Sequence, residues 1–314
     1  MLSLLAPTST AARRSRTGWP GFALAIVLFV ALSLATPDFL RPGNLLNLFN
    51  QQAALMNVAI GQTFVLLAAG LDISVGAVMS LTTAILSLDI HPALSIPLAF
   101  GAAAFVGLCN GIGVTVFSIH PILMTLSSMT VVQGVTLLLR PVPGGKVPAI
   151  VTATANASVL GLPLPVILTA VAVALGALLL NRTGFGLHVL AVGASPDNAR
   201  LGGVPVNRVV FGCYVLAALF AALAGFHLAG RIGSGDPLIG DTFSVDSISA
   251  AALGGTLLAG GLGSIGGTVG GVALLALVAN GLNLLNVSSF YQLLIKGALL
   301  IAAVCAHRRN EPGL

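Results

Sequence analysis

The sequence predicts an all-α fold, namely a polytopic integral membrane helical bundle with about 10 (8–10) transmembrane helices, some of them broken or re-entrant. Hydrophobic residues make up 57% of the chain and charged residues only 7%, and the mean hydropathy is +1.05. A water-soluble domain with this composition would have too little charge to cover its surface. In addition, residues 22–306 divide into apolar segments close to the roughly 20 residues that a membrane-spanning helix needs.

The basic balance of the chain does not indicate nucleic-acid binding. Thirteen Lys and Arg face eight Asp and Glu, for a formal charge of +5, but the basic residues are scattered over short segments between apolar runs. The cysteines Cys109, Cys213 and Cys305 lie within apolar stretches without ligand-like spacing. We therefore expect buried thiols and neither a disulfide, a metal nor a cofactor.

The first apolar run has two interpretations. Arg13, Arg14 and Arg16 precede an apolar stretch at residues 18–35, which is also the pattern of a secretory signal peptide. Because further spans follow, an uncleaved first helix is the favoured assignment.

The apolar pattern separates into single spans and longer blocks. Single spans are predicted at residues 22–36, 162–180, 209–230 and 290–306. Gly, Asn and Ser interrupt the other two blocks, residues 44–139 and 247–287, whose lengths correspond to about four and about two spans.

The placement of Lys and Arg predicts the orientation. The N-terminal arginines, residues 182–208 and the tail at residues 307–309 are basic and are expected in the cytoplasm, whereas the loops near Asp38, at 140–163 and at 235–246 are expected outside. Both termini then lie inside, which requires an even number of crossings. The predicted organisation is a cytoplasmic tail at 1–18, a transmembrane domain at 19–306 with a cytoplasmic segment at 182–208, and a cytoplasmic tail at 307–314.

The 38 glycines leave two explanations open. Small residues let helices approach closely in lipid, but glycine clusters also mark broken helices that line a cavity. A short internal similarity between residues 67–76 and 258–267 favours broken helices, since transporters are often built from repeats.

Asp72 is the most informative single residue. It is an acid within an apolar stretch, preceded by Gly70 and followed by Ser74 and Gly76. An intramembrane carboxylate is costly and usually functional. The alternative is an N-cap for the following segment, with Ser74 assisting, and this capping role is favoured over direct contact with a solute.

Uncharged amides recur through the first block, at Gln51, Gln52, Asn57, Gln62 and Asn110. Amides donate and accept hydrogen bonds without a counter-charge, which suits hydroxyl-rich solutes. Each one alone is equally explained by hydrogen bonding between helices, but the group favours a polar passage. We predict that Gln62, Asp72, Ser74 and Asn110 shape the substrate pathway.

Catalytic patterns are absent from the sequence. It contains no HExxH, no Ser-His-Asp arrangement and no Walker-type GxxxxGK[ST] segment. The chain is therefore not expected to be an enzyme, and any coupling to ATP must come from a partner.

Residues 190–206 contain a candidate docking segment. Pro196 is placed to begin a short helix capped by Ser195, and Gly202 and Gly203 are placed to end it. Such a helix would suit docking to a soluble partner, although composition alone favours an ordinary loop.

Three stretches carry a resemblance to a known family. They are residues 61–76 with their Gly70-Leu71-Asp72-Ile73-Ser74-Val75-Gly76 core, residues 198–206, and residues 254–292. The chain thereby resembles the permease subunits of bacterial ATP-binding-cassette importers for monosaccharides of the ribose, xylose and arabinose type. It departs from that pattern at Gly202, at Gln133-Gly134 and at Leu126-Ser127-Ser128-Met129, which bears on substrate preference.

The resemblance implies a homodimer in the bacterial inner membrane that forms one pathway, two cytoplasmic ATPase subunits and a periplasmic sugar-binding protein. It also implies that the segment around residues 191–206 couples to the ATPase, through Gly193, Asn198, Arg200, Gly202 and Pro205. Alternatives are a nucleoside or a furanose signalling molecule as cargo, or an ion-coupled secondary transporter. The scarcity of buried ionisable residues argues against the last.

Overall fold

The computed structural model describes residues 19–306, which contain thirteen α-helices and a two-stranded hairpin. The first helices are α1 (Trp19–Ala35), α2 (Pro42–Leu67), α3 (Val75–Leu86), α4 (Pro92–Thr115), α5 (Pro121–Leu139) and α6 (Ala149–Asn156). The hairpin of β1 (Ser158–Val159) and β2 (Leu162–Pro163) follows. The remaining helices are α7 (Leu164–Arg182), α8 (Gly184–Ala194), α9 (Pro196–Leu201), α10 (Val206–Ile232), α11 (Asp241–Leu253), α12 (Ile265–Leu284) and α13 (Ser289–Ala306).

Local sequence explains where several helices begin and end. Pro42, Pro92 and Pro121 occupy the first helical positions of α2, α4 and α5, where the missing N–H of proline costs no hydrogen bond. The Ser264 hydroxyl accepts a hydrogen bond from the N–H of Gly267 at 3.0 Å and caps α12. Gly233, with a φ of 70°, ends α10 in the left-handed conformation.

Contacts between helix ends define two opposite ends of the bundle. At one end, here called the Gly193 end, Gly193 packs against Leu67 at the end of α2 and against Gly261 just before α12. At the same end the Asn207 amide donates to the carbonyl of Thr115, which joins the start of α10 to the end of α4 at 3.3 Å.

The opposite end is here called the Arg140 end. The Arg140 guanidinium, just after α5, donates to the carbonyl of Ser87, just after α3, at 2.6 Å. Gly144 and Gly235 form an antiparallel bridge that adds the segment after α10.

Ten helices run between the two ends: α1, α2, α3, α4, α5, α7, α10, α11, α12 and α13. Five of these, α4, α5, α7, α10 and α12, are long and apolar enough to cross a membrane on their own. The predicted fold class is confirmed. The helices of the two interrupted blocks also agree with prediction, since residues 44–139 hold four of the ten and residues 247–287 hold most of α11 and all of α12.

Two of the ten helices are too short to cross a bilayer core. The 12 residues of α3 and the 13 of α11 extend roughly 18 to 20 Å, against a hydrocarbon core of roughly 30 Å. Non-helical backbone completes each crossing, at residues 68–74 before α3 and at residues 233–240 before α11. These are the broken helices that the sequence predicts.

The long helix α10 lies at the centre and packs against α2, α3 and α4. Glycine allows this approach: a Cβ on Gly61 would lie 2.8 Å from the Cα of Ala217, and a Cβ on Gly225 would lie 2.6 Å from the carbonyl oxygen of Met79. Gly261, by contrast, has a φ of 77° within a non-helical segment. Close packing therefore accounts for Gly61 and Gly225, whereas Gly261 lies in a break between helices.

One boundary prediction is wrong. Residues 241–246 were expected in an external loop, but α11 begins at Asp241, so Asp246 lies in its second turn. The reason is tertiary, because the polar side chains of Ser244 and Asp246 find partners on neighbouring elements. The tails predicted at 1–18 and 307–314 lie outside the described residues.

Candidate functional site

The break between α2 and α3 is organised around Asp72. Its Oδ1 accepts hydrogen bonds from the backbone N–H of Ser74 at 2.9 Å and from the Ser74 hydroxyl at 2.6 Å. The Asn110 amide on α4 donates to the same hydroxyl at 2.8 Å. Thr125 on α5 donates to the carbonyl of Leu71 at 3.2 Å. Two neighbouring helices thus hold this non-helical segment in place.

Three of the four predicted pathway residues, Asp72, Ser74 and Asn110, therefore come together, and all are buried. The helix N-cap position belongs to Ser74 rather than to Asp72, and Asp72 binds the N–H of the cap residue itself. Gln62 lies apart on α2, is fully buried, and has no hydrogen-bond partner for either amide atom among the described residues.

The Asp72 cluster retains unused polar atoms. Asp72 Oδ2, Asn110 Oδ1 and the Tyr214 hydroxyl are buried without a hydrogen-bond partner among the described residues. Tyr214 lies on α10 beside Gly70, where a Cβ would come within 2.8 Å of the phenol oxygen. Sequence reasoning missed Tyr214, since an aromatic residue within an apolar span gives no signal of its own.

The break before α12 contacts the break after α2. The N–H of Gly261 donates to the carbonyl of Leu67 at 2.9 Å. Next to them, Gly260 and Ala69 have φ values of 89° and 59° and lie in contact. These residues belong to the two segments whose sequences are similar, 67–76 and 258–267, and each segment leads from one transmembrane helix into the next.

The predicted short helix in residues 190–206 is present as α9. Pro196 occupies its first turn, the Ser195 hydroxyl accepts from the N–H of Asn198 at 3.3 Å, and Gly202 follows its last residue. Gly203 has a φ of 80°, which turns the chain toward α10. The capping and terminating residues are those that the sequence indicates.

The coupling residues predicted from the resemblance fall into two groups. Arg200 is exposed and lies 3.6 Å from the exposed Asp197. An open cleft of about 450 Å³ beside α9 is lined by Arg200, Val204, Pro205, Val206, Asn207 and Arg208. Gly193 instead is buried near the end of α8, where a Cβ would overlap the carbonyl oxygen of Leu67 and lie 2.5 Å from the nitrogen of Gly261. One group thus faces solvent, while Gly193 contacts both breaks.

A second polar contact within the bundle joins α11 to α13. The Lys296 ammonium lies 2.7 Å from Asp246 Oδ2, and the two side chains remain 26% and 14% exposed. The sequence carried a signal for this pair, because Lys296 is a lone charge within an apolar span and such residues are usually functional. Its partner could not be identified because Asp246 was assigned to a loop.

Residues 19–306 contain no group of three or more His, Cys, Asp or Glu side chains able to hold a metal ion.

Comparison with known proteins gives one family match and several close relatives. Residues 44–304 match the family described as branched-chain amino acid transport system / permease component. The ribose import permease protein RbsC of Bacillus subtilis is 38% identical over 91% of each chain. RbsC of Escherichia coli K12 is 32% identical over 91% of this chain and 92% of its own. The L-arabinose transport system permease protein AraH of E. coli K12 is 35% identical over 93% of this chain and 92% of its own. No solved structure matches significantly.

Proposed function

Because the chain belongs to the family of branched-chain amino acid transport system permease components, we propose that it is the transmembrane permease subunit of an ATP-binding-cassette importer for a monosaccharide such as ribose. Relatives named for ribose import and for L-arabinose transport match over nine-tenths of this chain. Their full-length similarity supports a pentose as cargo over the amino acids in the family description. In this role the chain forms the translocation pathway, and separate subunits hydrolyse ATP.

The observation that carries this proposal is the contact of Gly193 with both helix breaks. The exposed helix α9 follows α8, whose end packs on Leu67 and Gly261. A rigid-body displacement of α8 and α9 by a partner would therefore act on the α2–α3 break and the α11–α12 break together. A subunit that converts an external mechanical input into a change in its transmembrane helices needs such a connection.

The exposed group of coupling residues provides the partner surface in this proposal. Asn198, Arg200, Gly202 and Pro205 lie on or next to α9 and its cleft. The basic segment 182–208 supports a cytoplasmic location of this end by the positive-inside rule; in this proposal both termini lie on the same side, and the Arg140 end faces the periplasm of a bacterial inner membrane. The partners are two ATPase subunits, a second permease copy, a periplasmic sugar-binding protein and the lipid bilayer.

The buried polar residues act on the pathway through the backbone. Asp72, Ser74 and Asn110 fix the non-helical segment between α2 and α3, and irregular backbone at membrane depth is tolerated where it is buried in protein or lines a water-filled cavity. Gln62 supplies a buried amide whose hydrogen-bonding groups are unused among the described residues. In this proposal these four residues shape the passage when the two breaks move.

Gene disruption tests the cargo. Cells that lack this chain should lose uptake of one labelled pentose at low external concentration, and expression of the intact chain should restore it. Affinity purification of the tagged chain should recover an ATPase subunit and a sugar-binding protein. Unchanged pentose uptake in the disrupted strain, together with purification free of any ATPase, would refute the proposal.

A further inference from the structure

Asp246 and Lys296 stand apart from the other charged residues of the transmembrane helices. In the helices that the structure describes, they are the charged side chains that lie more than one turn from a helix end. Charges at this depth are costly, and a buried ion pair can often be replaced by apolar residues without loss of stability. Stability alone therefore does not explain the pair.

The pair is also accessible, unlike the Asp72 cluster. Lys296 is 26% exposed and Asp246 14% exposed, whereas Asp72, Ser74 and Asn110 are each at most 1% exposed. An ammonium has three donor hydrogens, and Asp246 is the one partner of Lys296 in the described chain. Asp246 Oδ1 has no hydrogen-bond partner among the described residues and is not fully buried. Unused donors and an unused acceptor thus lie side by side.

Other polar groups mark the same side of the subunit. Asp241 and Thr242, in the first turn of α11, are exposed. The segment that leads into α11 descends along α3, because the N–H of Asp236 donates to Thr83 and the N–H of Gly240 donates to Ser80. The start of α11 therefore lies well below the Arg140 end, and exposed polar side chains at this depth indicate contact with water rather than lipid.

Helix α5 contacts the segment that leads into α11. The Gln133 amide donates to the carbonyl of Pro237 at 2.8 Å. The same helix carries two exposed hydroxyl side chains, Thr130 and Ser127, which donate to the carbonyls of Leu126 and Leu123 within α5 itself. The charged pair of α11 and α13, together with the exposed polar start of α11, is unsuited to lipid and suited to an aqueous passage.

We infer that Asp246 and Lys296 bind hydroxyl groups of a neutral polyhydroxylated solute as it moves along this surface. This inference rests on the proposed import of a monosaccharide and adds a contact site to it. The pair has no net charge, so a solute needs no counter-charge to bind beside it. It offers charge-assisted donors and an acceptor, which form stronger hydrogen bonds than neutral groups do. A sugar carries adjacent hydroxyls that both donate and accept.

Substitution separates solute contact from a structural role. The Asp246→Leu/Lys296→Met double variant removes both charges together, so it leaves no unpaired charge and should assemble with its ATPase at normal thermal stability. At a saturating concentration of sugar-loaded binding protein, we expect the rate of uptake by this variant to fall at least tenfold. The same loss is expected for Asp246→Asn. Uptake by the assembled double variant within twofold of wild type would show that the pair is structural only and overturn the inference.

Thiol labelling tests the location of the pair independently of transport. In a complex with Cys109, Cys213 and Cys305 replaced by alanine, the Lys296→Cys variant is compared with Leu294→Cys. Leu294 is 69% exposed and faces the opposite side of α13, since two helical residues are about 200° apart. A water-soluble charged methanethiosulfonate should react at least tenfold faster with the Lys296→Cys thiol, and equal rates would overturn the inference.

The two experiments also distinguish this inference from the proposed function. A wild-type complex that imports no monosaccharide would overturn the proposed function and the hydroxyl chemistry with it. A wild-type complex that imports one, with equal labelling at the two positions, would overturn the site alone.

Discussion

The carbonyl oxygen of Leu67 accepts a hydrogen bond from the N–H of Gly261 at 2.9 Å, so that two helix breaks from distant parts of the sequence are in direct contact. Gly193, at the end of α8, packs against both residues. Because α9 follows at once and is exposed, this three-residue contact connects the surface of the Gly193 end to the interior of the bundle.

The Gly193→Ala substitution should disrupt this contact. The new methyl group would overlap the carbonyl oxygen of Leu67, and backbone atoms on both sides leave it no room. Overpacking of this kind costs about 1–3 kcal/mol, and we expect a lower thermal midpoint of the purified protein and at least a tenfold loss of uptake.

Gly184→Ala provides the control, because Gly184 lies on the same helix α8 and a Cβ there would meet nothing within 4 Å. It should leave both the thermal midpoint and uptake unchanged. Equal behaviour of the two variants would contradict a tight contact at Gly193.

Asp72→Ala should reduce uptake about tenfold at matched expression, measured with labelled pentose. The change leaves the N–H and hydroxyl of the buried Ser74 without their acceptor, and each unsatisfied group costs about 1–3 kcal/mol. Asp72→Asn keeps an oxygen at the position of Oδ1 and should retain most of the uptake. Normal uptake by Asp72→Ala would remove this residue from those that shape the pathway.

Arg200→Glu should uncouple ATP hydrolysis from uptake while the complex still assembles. Arg200 lies on exposed α9, and its pair with Asp197 is solvent-exposed, so its loss should affect folding little. Assembly is checked by co-purification, and coupling by the ratio of sugar imported to ATP hydrolysed.

Arg41→Glu is the matched control for this reversal. Arg41 forms an equivalent exposed i,i+3 pair with Asp38 at 2.8 Å, but near the Arg140 end. It should leave the ratio of uptake to hydrolysis unchanged. If Arg200→Glu also retains both ATPase binding and coupled uptake, the docking assignment is wrong.

The buried hydrogen bond between Thr63 on α2 and Thr268 on α12, at 2.7 Å, gives a stability prediction. Thr63→Val should lower the free energy of unfolding by about 1 kcal/mol, since hydrogen bonds between membrane helices are of that order. The Thr63→Val/Thr268→Val double variant should cost less than the sum of the single changes. Thr152→Val, at a half-buried position on α6 where the hydroxyl bonds only to the carbonyl of Ala149 in its own helix, should be nearly neutral, and full additivity would show that the two hydroxyls do not interact.

Much of the fold could be predicted because its signals are local. Apolar length identified the spans, and Pro196, Ser195 and Gly202 marked the short helix α9 before any contact was known. The break at Asp72 was predicted from an acid and glycines within one apolar stretch.

What could not be predicted depends on contacts between distant segments. Asp246 was assigned to a loop because its partner Lys296 lies on another helix. The position of Gly193 against Leu67 and Gly261 depends on how three segments pack, and no sequence pattern in any one of them reports it. Tyr214 is part of the Asp72 cluster only because α10 passes beside Gly70.

Reconstitution tests the central claim most directly. The chain is placed in proteoliposomes with its ATPase subunit and loaded sugar-binding protein, and uptake of labelled ribose and arabinose is measured. We predict uptake of one pentose that requires ATP on the Gly193 side and fails without the ATPase. Uptake that persists without the ATPase and follows an imposed ion gradient would contradict the account and identify a secondary transporter.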